Sequence, residues 1–125
     1  MENTLHLALW ALAQNYVTAW QHQHQSLPCT EDYIGLSSPC AVSENTHQVQ
    51  WRPVKRDTAA DFTNVETGIS LRLHSDIKDF YNRLYCADLP VRFEGESLCL
   101  VQVWSDDDLA RLQDNILGHL MMQRQ

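Results

Sequence analysis

The spacing of apolar residues changes along this 125-residue chain, and that change constrains its fold most. From Asn3 to about Gln25 apolar residues recur every three or four positions, which predicts one face of an amphipathic helix. The members of this apolar stripe are Leu5, Leu9, Leu12, Tyr16 and Trp20. After Pro28 the apolar residues alternate with polar ones over short stretches, a spacing typical of strands. Both types of secondary structure are therefore expected in one chain.

Short strands are predicted in the first half of the chain after the helix. One covers Cys40 to Ser43, and a second covers His47 to Arg52, with Glu44-Asn45-Thr46 as the turn between them. An irregular linker is expected over residues 52–57. The next segment fits two patterns, because its apolar residues have helical spacing at first and then alternate. We predict a helical turn over residues 62–66 followed by a strand over residues 69–73.

A second helix and a hairpin are predicted next. The helix runs from Ser75 to Tyr85, with Ser75 as its N-cap. The hairpin pairs residues 89–93 with residues 98–103 around the turn Glu94-Gly95-Glu96. Because residues 98–103 are nearly all apolar, we expect an interior strand that is covered on both faces.

A third helix begins after Ser105 and carries Asp106, Asp107 and Asp108 in its first turn. The order of elements is helix, hairpin, strand, helix, hairpin, helix. This order predicts an α+β fold in which an antiparallel or mixed sheet packs with helices. The length suits a single domain that spans residues 1–125.

The charge balance of the chain limits its partners. Sixteen acidic residues against nine basic ones give a formal charge of −7. Nucleic acid and anionic lipid would repel such a chain, whereas a basic protein surface would attract it. The same charge is also explained by solubility alone. No run of eighteen apolar residues predicts a membrane span, and the N-terminus lacks a basic segment typical of secretory signals. We therefore expect a cytoplasmic protein.

Catalytic and metal-binding motifs are absent from the sequence. It contains no GxSxG, P-loop, GxGxxG or HExxH. Four cysteines occur without a CxxC pair, so we expect free thiols and no zinc site. They are Cys29, Cys40, Cys86 and Cys99. The sequence therefore predicts a binding protein without catalytic residues, metal or cofactor.

The three consecutive aspartates allow two interpretations. Neighbouring carboxylates can hold a metal or transfer protons, although the DxDxDG spacing of a calcium loop is absent. At the start of a helix, each carboxylate instead stabilises the N-terminus by about 0.3–1 kcal/mol. Trp104 precedes them, and is expected either in the core or, as an aromatic residue beside acidic ones, in a groove for a basic segment.

Several segments of the chain resemble, in consistent order, the Syd family of SecY-interacting proteins in the SUKH superfamily. The most specific of these covers residues 100–108 and continues through residues 113–120. The other segments are Ser38-Pro39-Cys40, Trp51-Arg52-Pro53, Phe62-Thr63-Asn64-Val65-Glu66 and Ile77-Lys78-Asp79-Phe80-Tyr81. The resemblance extends over almost the whole length of this chain, but members of the family continue past the helix that holds His119. The resemblance therefore implies that this chain, which stops at Gln125, lacks the family's C-terminal part.

The resemblance also implies a function. A member would be a monomeric protein, peripheral on the cytoplasmic side of the bacterial inner membrane, that binds SecY through a concave acidic groove. It would act as a regulator or quality-control factor that recognises uncomplexed SecY. The basic cytoplasmic loops of membrane proteins suit such a groove. The positions that match the groove are Glu31, Glu66, Trp104, Asp106, Asp107 and Asp108.

Two other functions compete with SecY binding. A SUKH-type interaction or immunity protein would bind another basic protein, such as a toxin. An enzyme would use the aspartate cluster with a metal ion.

Overall fold

The computed structural model describes residues 4–57 and 60–123. The helices in these ranges are α1 (Leu5–His24), α2 (Thr63–Ile69), α3 (Ser75–Asn82) and α4 (Asp106–Gln123). The strands are β1 (Cys29–Thr30), β2 (Ala41–Glu44), β3 (Val49–Trp51), β4 (Val54–Lys55), β5 (Leu84–Tyr85), β6 (Leu89–Phe93) and β7 (Glu96–Leu100). Pairing is antiparallel throughout and gives three small sheets in the described ranges, β1-β3-β2, β4-β5 and β6-β7. The predicted α+β class is confirmed.

Helix α1 covers one side of the core. Its buried residues are Leu9, Ala13 and Val17, which are four positions apart and belong to the same core cluster as Val49 and Trp51 of β3. The predicted stripe is therefore only partly correct, since Leu12 is 37% exposed. The prediction from periodicity placed the larger apolar residues on the buried face, whereas the small Ala13 is the residue that is fully buried. Of the predicted cap residues, Thr4 makes no side-chain cap hydrogen bond, and Asn3 lies outside the described residues.

The predicted strand over residues 69–73 is wrong. Helix α2 continues to Ile69, which is buried with Val65 on the same helix face. Ser70 then adopts the left-handed conformation at φ 56° and ends the helix. The apolar residues alternate here without forming a strand, because Ile69 belongs to the helix and Leu71 is exposed beyond it.

Helix α3 is shorter than predicted and has a different cap. The N-cap is His74, not Ser75, and its Nδ1 accepts a hydrogen bond from the backbone N–H of Asp76 at 3.0 Å. The helix ends at Asn82, so that β5 can pair with β4. The linker predicted over residues 52–57 therefore contains a strand.

The β6–β7 hairpin turns within the predicted segment, but Glu96 already belongs to β7 and pairs with Phe93, and the predicted burial is wrong. Glu94 and Gly95 both have positive φ, 52° and 82°, as a two-residue hairpin turn requires. Strand β7 ends at Leu100 and is mostly exposed. It pairs only with β6 among the described strands, so no neighbouring strand covers it. The chain then leaves the hairpin, and Gln102, Val103 and Trp104 are buried.

None of the helices in the described ranges has the length and apolar character that crossing a membrane requires.

Candidate protein-binding surface

The three aspartates form the first turn of α4, as the helix-start interpretation predicts. The Asp108 backbone N–H donates to Ser105 Oγ at 3.2 Å, and Asp108 Oδ2 accepts from the Trp104 backbone N–H at 2.9 Å. Such reciprocal bonds satisfy backbone donors that the helix itself leaves unpaired. Asp107 is exposed at the same turn.

Asp106 is held by two donors from the β4–β5 side of the molecule. Its Oδ1 accepts from the Tyr85 hydroxyl at 2.8 Å and from Arg56 Nη1 at 2.9 Å. These hydrogen bonds, with the charge of Arg56, lower the pKa of Asp106 because they favour its ionised form. The Arg56 guanidinium also lies over the Tyr85 ring, 4.7 Å from its centroid. Asp106 thus faces a cation of its own chain.

Trp104 lies beneath the surface. It is 1% exposed, and its indole Nε1 donates to the Leu36 carbonyl at 3.0 Å. Its own carbonyl accepts from the Ser38 hydroxyl at 2.5 Å. Tyr33 stacks on its ring with centroids 4.4 Å apart. Trp104 therefore supports a surface whose outer aromatic residue is Tyr33.

Tyr33 lies among three carboxylates, of which only Asp108 was a predicted site residue. Burial is the largest cause that raises its pKa, and Asp88, Asp108 and Asp32 raise it further. Two depressions of about 280 and 150 Å³ meet here and share Tyr33 and Asp88 as lining residues. Asp32 lines the larger and Asp108 the smaller. We call Asp32, Tyr33, Asp88 and Asp108 together the acidic face.

The sequence carried only part of the information needed to find the acidic face. An acidic residue directly before an aromatic one, Asp32-Tyr33, was a usable local signal. Asp88 gives no such signal, because only the path of the folded chain after β5 brings it to the acidic face. Its Oδ1 accepts from the Gln102 backbone N–H at 2.7 Å, which joins the start of the hairpin to the segment that follows it.

The two predicted glutamates lie in different surroundings. Glu31 is exposed directly after β1, next to Asp32. Glu66 accepts from the Leu73 backbone N–H at 2.7 Å and pairs with Lys78 Nζ at 3.0 Å. Its pKa is lowered, first by the hydrogen bond from Lys78. Of the predicted site residues, the structure brings Asp108 and the underlying Trp104 to the acidic face, whereas Glu66 joins α2 to α3.

Metal ligands do not cluster in the described ranges: no group of three or more His, Cys, Asp or Glu side chains there could hold an ion. The four thiols are free, as predicted. Cys40 and Cys86 are buried, whereas Cys29 and the exposed Cys99 both line the larger depression of the acidic face.

A third concave surface differs in chemistry. A groove of about 500 Å³ between α3 and α4 is lined mainly by apolar side chains, among them Leu73, Ile77 and Ile116. It contains no carboxylate among its lining residues, so it does not match the acidic groove that the family resemblance implies.

Comparison with known proteins connects this geometry to one family. The family model described as Syd protein (SUKH-2) matches residues 6–125. The chain is 47% identical over 117 residues to Protein Syd of Aliivibrio salmonicida, and 48% identical over 117 residues to that of Aliivibrio fischeri. These matches cover 94% of this chain and 64% of each relative. Protein Syd of Yersinia pseudotuberculosis is 39% identical over 124 residues, which are 99% of this chain and 68% of that relative.

Proposed function

Because the chain belongs to the Syd protein (SUKH-2) family, we propose that it acts by binding another protein, the SecY subunit of the protein-export translocase. It would do so as a monomer and a single domain on the cytoplasmic side of the bacterial inner membrane, as a regulator or quality-control factor for uncomplexed SecY. The observation that supports this proposal is the acidic face, where three carboxylates surround one half-buried tyrosine. No catalytic step belongs to the proposal.

The acidic face suits a lysine or arginine side chain from a basic loop. Such a side chain would meet the Asp88 carboxylate and lie against the Tyr33 ring, which combines a charge-assisted hydrogen bond with a cation–π contact. It would share the Asp108 carboxylate with the exposed Arg111, whose Nη2 lies 3.3 Å from Asp108 Oδ1. Asp32 and the neighbouring Glu31 would extend the negative charge toward the rim. The net charge of −7 would also raise the rate of encounter with a positively charged partner.

The main test is binding to detergent-solubilised SecY by the intact chain. We expect the Asp32→Asn, Asp88→Asn double variant to bind at least about tenfold more weakly, the equivalent of one charge-assisted hydrogen bond. The matched control is Glu94→Gln with Glu96→Gln, which removes the same charge at the exposed hairpin tip. Wild-type binding should also weaken between 0.1 M and 1 M salt, because the screening length falls from about 10 Å to about 3 Å.

Two results would reject this version of the proposal. Equal losses in the double variant and its control would show that only net charge matters. Binding that does not respond to salt would show that the acidic face does not carry the interaction.

The same face would also serve a SUKH-type interaction or immunity protein whose partner is a basic toxin. Capture of SecY at low salt by the wild type, with loss in the Asp32→Asn, Asp88→Asn variant, favours SecY. Absence of SecY binding together with binding of a basic protein encoded beside this gene favours the alternative.

A further inference from the structure

Basic residues converge on one cleft of this acidic chain. The cleft, of about 200 Å³, lies between the first turns of α1 and the β4–β5 sheet. Its lining includes Lys55, Arg56 and Arg83, three of the nine lysines and arginines in the chain, together with His6 and Trp10. We call this set of five residues the basic cleft. It shares no lining residue with the two depressions of the acidic face.

Backbone pairing brings these cations together. Lys55 pairs with Leu84 in the β4–β5 register, and the next backbone N–H, that of Arg56, donates to the Arg83 carbonyl at 2.8 Å. Arg56 and Arg83 are therefore opposite each other just beyond the sheet. Like charges at opposite positions of a strand pair are destabilising unless an anion compensates them.

In the part of the chain that the structure describes, two residues of the basic cleft have carboxylate partners. Asp106 pairs with Arg56 at 2.9 Å, and Asp79 lies 2.8 Å from His6 Nδ1. The Lys55 ammonium lies 4.8 Å from the centroid of the Trp10 ring. Within residues 4–57 and 60–123, no carboxylate lies within ion-pair distance of Lys55 or Arg83. Both side chains are exposed at the cleft and can turn toward a ligand.

We propose that the basic cleft binds the phosphate group of a small phosphorylated ligand. Guanidinium and ammonium groups are the donors that recognise phosphate, and arginine binds two of its oxygens at once. The volume is several times what a water molecule needs, so a phosphate and part of the attached molecule fit beside the Trp10 indole. The net charge of −7 disfavours approach to an anionic bilayer, which makes a soluble ligand the expected source of the phosphate.

The test is a calorimetric titration of the intact chain with inorganic phosphate at low salt. We expect the Lys55→Gln, Arg83→Gln double variant to bind at least about tenfold more weakly, the equivalent of one lost charge-assisted hydrogen bond. The control, Arg72→Gln with Arg92→Gln, removes the same charge at exposed positions outside the cleft and should stay within about twofold of the wild type. Circular dichroism checks that each variant is folded. If the double variant does not fold, the single Arg83→Gln variant replaces it, because Arg83 is exposed.

A second arm identifies the source of the phosphate. Vesicles of phosphatidylglycerol in phosphatidylcholine are sedimented with the wild type and with the same variants. Vesicle binding that requires Lys55 and Arg83, without a response to inorganic phosphate, would assign the phosphate to a lipid headgroup. No response to either probe, or equal losses in the cleft variant and its control, would overturn the proposal. None of these outcomes depends on SecY binding.

Discussion

Tyr33 stacks on Trp104 with an angle of 11° between the two ring planes. Trp104 belongs to the main core cluster, and Tyr33 packs against that cluster while its hydroxyl lies near carboxylates. The pair therefore connects the interior to the acidic face, and a change in the charge of Tyr33 should affect the stability of the fold.

The Tyr33→Phe variant should remove part of the loss of stability at alkaline pH. The pKa of Tyr33 is raised above its usual value of 10.0 in the folded protein. The unfolded chain therefore releases the phenol proton near pH 10, whereas the folded chain does not. The contribution of Tyr33 to the free energy of unfolding is therefore complete below pH 10 and is lost as pH rises. Urea unfolding of both proteins from pH 8 to 11 measures this difference. Parallel pH profiles would contradict the argument.

The Asp106→Asn variant should lower stability at neutral pH but not in strong acid. Because Tyr85 and Arg56 lower the pKa of Asp106 below 3.8, its contribution is present above that pH and is lost as pH falls through the folded-state pKa. The carboxylate is 74% exposed, so solvent screens it and we expect at most about 0.5 kcal/mol at pH 7. Urea unfolding at pH 7 and pH 2 tests this, and Asp107→Asn is the control. An equal loss at both pH values would refute an electrostatic origin.

The Asp79→Ala variant should destabilise the contact between α1 and α3. Asp79 is 8% exposed, and its Oδ2 accepts from the His6 backbone N–H at 2.6 Å. Removal leaves that N–H in a partly buried place without its acceptor, at a cost of about 1–3 kcal/mol. Asp79→Asn keeps an acceptor oxygen and should cost less. Denaturant unfolding ranks the variants, and equal losses would show that packing rather than hydrogen bonding is responsible.

The four thiols should react with a disulfide reagent at separate rates. Cys99 is exposed and should react first, followed by the half-buried Cys29. Burial raises the pKa of Cys40 to about 11 and also raises that of Cys86, so neither is a thiolate near neutral pH. Both should react only after unfolding. A Cys99→Ser variant should lose the fastest phase, and rapid reaction of all four thiols in the native protein would contradict the structure.

Local sequence signals were sufficient where one segment determines its own conformation. Ser105 and Asp108 are three residues apart and form the cap that their spacing predicts. The Glu94-Gly95 turn is likewise predictable, because glycine readily adopts the positive φ found there. The α+β class follows from such signals together.

Signals that depend on distant residues were not sufficient. The apolar run at residues 98–103 predicts a buried strand, but its burial depends on a neighbouring strand that the described ranges do not supply. The acidic face requires Asp32, Asp88 and Asp108 to meet, and they come from three separate parts of the chain. Glu66 has the predicted charge, but Lys78 of α3 neutralises it, and only the folded structure brings these two side chains together.

The contact between His6 and Asp79 also has a consequence for how the chain folds while it is made. The two residues are 73 positions apart, so the start of α1 cannot gain this partner until α3 has been synthesised. At about 5–20 residues per second, that interval is on the order of 4–15 s. During this time the apolar side of α1 that carries Leu9, Ala13 and Val17 has no completed core to cover it. The nascent chain should therefore stay accessible to chaperones until the core residues that follow α3, as far as Trp104, have left the ribosome.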